Sequence, residues 1–251
     1  MLKVEDVYKS YGAKGFFKGY QQTILENINL TCVQGECLGI IGESGSGKST
    51  LGRLLTGIEK PDSGTITIAG RDILNRQQRF GNISIVFQDY RSSINPFFSV
   101  EAAILESLKV AKRKRIKKEN LDILIDELLL KVGLSPQYRS KYPHELSGGE
   151  VQRVCIARAI STEPNFIVLD EAISSLDATI QLQILDLLIA LKNDYGMGYI
   201  FITHDLQAAA YICDRMIIFK DGQIQETLDT KNLSQVKSVY AKKLLQHHIS
   251  F

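Results

Sequence analysis

The four cysteines, Cys32, Cys37, Cys155 and Cys213, form no C-x-x-C pair and have no histidine at metal-ligand spacing. That pattern argues against a zinc module or a disulfide framework and predicts buried, reduced thiols. Also missing is any window near the ~18 apolar residues of a membrane-spanning helix. The N-terminal MLKVEDVYKS carries charges where a signal peptide needs an apolar segment, so the chain by itself reads as soluble and cytosolic. Charge of one sign is lacking as well: 30 Lys and Arg against 28 Asp and Glu leave a net +2, too little to draw the whole surface to nucleic acid or anionic lipid. What is present is a 44% hydrophobic content over 251 residues. That suffices for one α/β domain, or one with an inserted subdomain, rather than disorder.

The most informative stretch is CLGIIGESGSGKSTLGRLLTG, from Cys37 to Gly57. Leu38, Gly39, Ile40 and Ile41 form the continuous apolar run of a parallel strand covered on both faces. Gly42, Glu43, Ser44, Gly45, Ser46, Gly47, Lys48 and Ser49 then follow the spacing G-x-x-x-x-G-K-S. Glycines let such a loop turn its N–H groups inward around a phosphate. Lys48 supplies a point charge for the β- and γ-phosphates and Ser49 an oxygen for Mg²⁺. The helix through Thr50 aims its positive end at the same anion.

The rest of the chain reads as equipment for that loop. Leu2 to Tyr11 and Ile24 to Cys32 alternate as half-exposed strands. Tyr11 lies at the end of the first, where its ring either stacks on a purine or is simply a surface aromatic. GAKGFFKGYQQ between them reads as a surface loop or as a wall beside the base. Thr65 to Ala69 alternate again, which predicts a second, antiparallel sheet. Ile83 to Phe87 form a core strand ending at Gln88, on the edge where α/β sheets bind ligands. From about 97 to 159 the pattern turns helical: Leu121, Leu124, Ile125, Leu128, Leu129 and Val132 line one helix face, stopped by Gly133. The basic run Lys112, Arg113, Lys114, Arg115, Lys117 and Lys118 lacks interleaved aromatics in a nearly neutral chain, and reads as a solvated helix end or loop rather than a nucleic-acid site.

Ser147 and Glu150 have capping-box spacing, and Gly148 and Gly149 between them leave N–H groups open to an anion. Phe166 to Leu169 deliver Asp170 and Glu171 side by side. Their mutual repulsion points to chemistry: Asp170 to hold Mg²⁺ through water, Glu171 to orient and deprotonate an attacking water. A long helix follows with apolar residues on two faces, Leu182 among them, predicting packing on both sides. Tyr199 to Ile202 form the next strand, with His204 at the edge that also holds Lys48, Gln88 and Glu171, a γ-phosphate position. Met216 to Phe219, Asp221-Gly222 and Gln223 to Glu226 read as a hairpin.

In content and in order these motifs resemble the nucleotide-binding subunit of an ABC transporter, over nearly the whole chain. GESGSGKST resembles the Walker A loop, VFQ with Gln88 the Q-loop, LSGGE the signature, and FIVLDE the Walker B strand with its glutamate. SSLD with Asp177 resembles the D-loop and ITHD with His204 the switch. The resemblance implies a P-loop NTPase fold of the ABC ATPase type, α/β with a mixed sheet core. Residues 1–96 and 160–251 would form that core and an antiparallel β-subdomain, and 97–159 an inserted helical subdomain.

It also implies ATP and Mg²⁺ as ligands, with Ser49, Gln88 and Asp170 toward the metal. Two subunits would sandwich two ATP molecules, so that Ser147 and Gly149 touch the γ-phosphate held by the partner. FQDYRSSINP, and Ala172 in LDEAISSLD, resemble the nickel and oligopeptide importers, with the nickel or metallophore branch favoured. Such importers pair two ATPase subunits, commonly non-identical, with two membrane permeases and, indirectly, an external binding protein. The subunit would be peripheral, on the cytoplasmic face of the membrane.

A soluble ABC-type ATPase acting on nucleic acid or ribosomes is the rival, but its usual tandem halves, coiled coil and zinc insertions are lacking. A P-loop kinase would not account for LSGGE or His204. Glu150 stands where the signature normally has glutamine. A carboxylate there is expected to repel a γ-phosphate, and Glu150→Gln to relieve it.

Overall fold

The computed structural model describes residues 1–12, 22–89, 93–111 and 118–248. The 112–117 part of the basic run and most of the GAKGFFKGYQQ segment lie outside them. In chain order the first elements are β1 (Leu2–Tyr11), β2 (Gln22–Cys32), β3 (Cys37–Ile41), α1 (Lys48–Leu55), β4 (Ser63–Ile68), β5 (Arg71–Asp72) and α2 (Arg76–Arg79). Next come β6 (Ile83–Val86), α3 (Val100–Ala111), α4 (Lys118–Lys131), α5 (Gly148–Ile160), β7 (Phe166–Asp170) and α6 (Ala178–Tyr195). The chain continues with β8 (Gly198–Thr203), α7 (Leu206–Ile212), β9 (Arg215–Lys220), β10 (Gln223–Asp229) and α8 (Val239–His248). Two compact units result, Met1–Arg79 with Gly198–Phe251, and Phe80–Met197.

The first unit contains two sheets. In one, β2, β1, β4 and β5 lie in that order and pair antiparallel. Their one-sided burial follows from alternation: Leu2 and Val4 point inward, and after a register shift so does Val7. Asp6, with φ 50, takes up the extra residue at that bulge. In the other sheet β3 runs parallel to both β8 and β9, and β10 closes antiparallel onto β9. Asp221 and Gly222 turn that hairpin with φ 47 and 76, the left-handed pair such a tight connection requires.

β3 and β8 are buried at every residue, as continuous apolar runs demand. All four cysteines are buried free thiols, with Cys37 and Cys213 sulfurs 3.5 Å apart. Burial, reinforced by the Glu36 carboxylate, pushes the Cys32 thiol well above its usual range.

In the second unit β6 and β7 pair in parallel, Ile83 with Phe166 through Val86 with Leu169. α4 buries Ile125, Leu128 and Leu129, and Gly133, at φ 73, ends it. The two-sided packing expected of α6 is corrected: Ile184, Leu185, Leu188 and Leu191 are buried, whereas Leu182 is 48% exposed. One helix carries one core-facing stripe, and a second apolar row need not find a neighbour in the same chain. Among the described residues no helix is long and apolar enough to cross a membrane.

Candidate nucleotide site

The loop 42–47 leaves β3 and enters α1 with its backbone pinned to the β9–β10 hairpin, where Gly222 N–H donates to Ser46 O at 2.9 Å. Close approach explains two glycines. A Cβ on Gly42 would stand 2.0 Å from Phe219 O, and one on Gly47 2.9 Å from Ile24 O. Gly47 also has φ 103, and as N-cap it brings no side chain onto the first amides of α1. A helix start presents its first N–H groups and the positive end of its dipole to an anion. Ser46 Oγ is buried without a hydrogen-bond partner, a polar atom at the loop's inner side awaiting one.

Lys48 is only 5% exposed, and its Nζ donates to Gly42 O at 2.7 Å and Glu43 O at 2.8 Å. An ammonium held among carbonyls, a buried hydroxyl without a partner and the start of a helix form a cradle that fits a phosphate chain. Gly42→Ala is expected to destabilise the chain by about 1–3 kcal/mol, because the opposing atom is backbone and cannot rotate away. A fall of several degrees in melting temperature, together with weaker nucleotide binding, checks this.

On the adjacent strand β8, Thr203 is in register with Ile41, so His204 leaves the sheet at the same edge as the loop. Thr203 Oγ1 accepts from Asp205 N–H at 3.0 Å, and Asp205 caps α7 through Gln207 and Ala208 N–H at 2.8 and 3.1 Å. The exposed His204 is thus fixed between a buried strand and a capped helix. Tyr11 is half out of the surface; its hydroxyl donates to the Glu59 carboxylate and Lys9 Nζ lies 5.4 Å from its ring centroid.

The second unit carries the remaining residues. Val86 and Leu169 are register partners, so Gln88 beyond β6 and Asp170-Glu171 at the end of β7 share one sheet edge. Asp170 and Glu171 are 7% and 8% exposed. Glu171 adopts φ 50, a left-handed backbone that costs a residue with a Cβ about 1–2 kcal/mol. Ser174 offsets this, donating its N–H and hydroxyl to Glu171 O at 3.2 and 2.9 Å. Asp177 caps α6 by accepting from Ile180 N–H at 3.0 Å, and Gln181 Nε2 holds Ile173 O at 3.0 Å.

The expected capping box is formed at α5. Ser147 Oγ accepts from Glu150 N–H at 3.4 Å, and Glu150 Oε2 accepts from Ser147 N–H at 2.7 Å. Gly148 and Gly149 begin the helix, and a Cβ on Gly149 would come within 2.7 Å of Ile180 Cγ2. Packing between α5 and α6 is therefore a second reason for glycine there. A further contact, absent from any local spacing, is Tyr138 hydroxyl donating to Glu150 Oε1 at 2.5 Å.

A phosphate-cradling loop on a buried parallel strand, and a carboxylate pair ending another, define a P-loop nucleoside triphosphatase. The chain belongs to the ABC transporter family, whose model matches residues 25–174. It is 47% identical, over all 251 residues and the full length of both chains, to the metal-staphylopine import system ATP-binding protein CntF of Staphylococcus aureus. With the nickel import ATP-binding protein NikE of Escherichia coli O157:H7 it shares 40% identity over 233 residues, 90% of this chain and 86% of that one. Among solved structures it matches the dimeric, post-hydrolysis form of the ATP-binding cassette MJ0796 bound to ADP and Pi, with a TM-score of 0.82 and 29% identity over 92% of this chain and 99% of that one. The fold is that of an ABC ATPase, α/β with mixed and antiparallel sheets, and the chain binds and hydrolyses ATP to energise transport.

Proposed function

We propose that the chain energises an importer of nickel, a metal chelate such as a metallophore complex, or peptides, with the metal cargoes favoured. The observation that carries this reading is the end-to-end correspondence, at 47% identity, with a metal-staphylopine import protein. In this reading Lys48, the loop amides from Gly42 to Gly47, Thr50 and Ser46 Oγ take the phosphates of ATP, and Tyr11 supports the base.

Ser49, Gln88 and Asp170 are hard oxygen donors suited to Mg²⁺, which when bound neutralises charge on the phosphates. Glu171 accepts the proton of the attacking water, and His204 bonds the γ-phosphate. Ser147, Gly148 and Gly149 serve the nucleotide of a second, non-identical ATPase subunit, with Glu150 at their border and Asp177 beside them. Residues 97–159 act as the helical subdomain. Two membrane permeases complete the assembly and an external binding protein delivers cargo. The chain then sits peripherally on the cytoplasmic face, with no nucleic acid among its partners.

Cells lacking the chain, compared with the complemented strain, test the proposal. Cellular nickel measured by elemental analysis is expected to fall severalfold while labelled peptide uptake persists, and the tagged chain is expected to copurify with permeases. Loss of peptide uptake alone would reassign the cargo. Normal uptake of both, with the chain bound to ribosomes or DNA, would reject the importer reading.

A further inference from the structure

Glu150 occupies the third position of α5, and both of its carboxylate oxygens are engaged by its own chain. Oε2 accepts from Ser147 N–H at 2.7 Å, and Oε1 accepts from the Tyr138 hydroxyl at 2.5 Å. Tyr138 belongs to a 3-10 turn, Pro136–Ser140, that is itself anchored on several sides. The Arg139 guanidinium bonds Glu101 of α3 at 3.0 Å and Asp126 of α4 at 3.2 Å, and pairs with Asp122 as well. Lys141 Nζ lies 4.0 Å from the centroid of the Tyr138 ring. A short segment tied to α3 and α4 thereby reaches the first turn of α5 through one phenol.

We infer that Tyr138 is a positioning residue for the signature loop. Its hydrogen bond fixes the Glu150 carboxylate, which in turn fixes the backbone of Ser147. The 3-10 turn then sets the orientation at which Ser147 and Gly149 meet a nucleotide on a partner subunit. This rests on the proposed function for that meeting and goes beyond it in naming what holds the loop.

The negative charge of Glu150 is turned back onto two donors of its own unit, and those donors offset part of the repulsion expected from the sequence. They also hold its pKa below the ordinary carboxylate value of 4.5, Tyr138 first and Ser147 N–H next. The same bond raises the Tyr138 phenol above 10.0, so this donor keeps its proton under physiological conditions. Glutamine at 150 would preserve the arrangement, its amide oxygen accepting from Ser147 N–H and its NH₂ donating to the Tyr138 hydroxyl. Alanine would abolish both bonds.

The test is ATPase kinetics of the full chain assembled with its permeases and partner ATPase. Tyr138→Phe is expected to raise the KM for ATP about tenfold, with kcat nearly unchanged. Glu150→Ala is expected to do the same, with the double variant no worse than Glu150→Ala alone. Glu150→Gln, which keeps an acceptor for Ser147 N–H and a donor for the Tyr138 hydroxyl, is expected to recover most of the KM lost in Glu150→Ala. Nucleotide affinity of the isolated Tyr138→Phe chain is unchanged, and its melting temperature moves by no more than about 2 °C.

An unmoved KM in Tyr138→Phe overturns the inference. So does a rise in turnover with Glu150→Gln, which would mean that charge repulsion outweighs the positioning of the loop. Parallel losses of own-site affinity and melting temperature would reduce Tyr138 to a structural role. Glu171→Gln in the same assembly separates the levels. If it leaves turnover intact, the functional assignment fails; if it abolishes turnover while Tyr138→Phe is silent, only the positioning role fails.

Discussion

Replacing Glu171 with glutamine is expected to lower ATP turnover by about 10²–10⁴-fold while nucleotide stays bound, the range over which a positioned general base contributes. The substitution is nearly isosteric and keeps a Cβ, so the left-handed backbone at φ 50 and the Ser174 bonds to its carbonyl persist. Only the proton-accepting oxygen is lost. The buried end of β7 supports this focus, because Asp170 and Glu171 are side by side at 7% and 8% exposure. Two adjacent carboxylates in so little water are costly for structure alone. Phosphate release measures turnover, and retained binding of a labelled nucleotide separates a catalytic loss from a folding loss. Turnover within a few-fold of the parent would remove Glu171 from the role of base.

Removal of the ammonium by Lys48→Ala is expected to weaken ATP binding by about 10- to 100-fold, the range for a hydrogen bond to a charged group. The side chain is buried and already held against Gly42 O and Glu43 O at 2.7 and 2.8 Å, a prearranged position for the phosphate contact proposed above. Its loss removes the loop's own cation and also a tie between the loop and α1. Titration of nucleotide in a Glu171→Gln background isolates binding from hydrolysis. An unchanged affinity would mean that the amides and helix end suffice without the charge. Lys48→Arg keeps the charge but not the compact ammonium, and is expected to recover only part of the binding.

Much of the site was legible in one dimension because its physics acts over a few residues. The spacing from Gly42 to Ser49 specifies a turn that only glycine permits. The pair Ser147 and Glu150 lies one helical turn apart, and its capping box forms between groups that neighbour each other in any helix beginning there. Apolar runs marked β3, β7 and β8 as strands buried at every residue. Alternation marked β1, although the bulge at Asp6 shifts its phase after Val4.

Other features were invisible for the opposite reason. The exposed side of α6 could not be told from its core side, since both carry leucines and only neighbouring elements select between them. Gly149 reads as a phosphate-facing residue, yet the nearest obstacle to a Cβ is Ile180, far along the chain. Glu150 read as a charge aimed at a partner, whereas Tyr138 engages it from a separate turn. The left-handed backbone of Glu171 has no glycine to announce it.

By itself, then, the sequence determined the phosphate loop, the strand ends that present Gln88, Asp170, Glu171 and His204, and the start of the signature helix. All depend on contacts within one turn or one strand. Tertiary structure alone decided which apolar stripe of α6 is covered, why Gly149 has no side chain, and where the charge of Glu150 is directed. Those outcomes depend on atoms distant in sequence, and no spacing rule encodes which distant segment the chain will bring alongside.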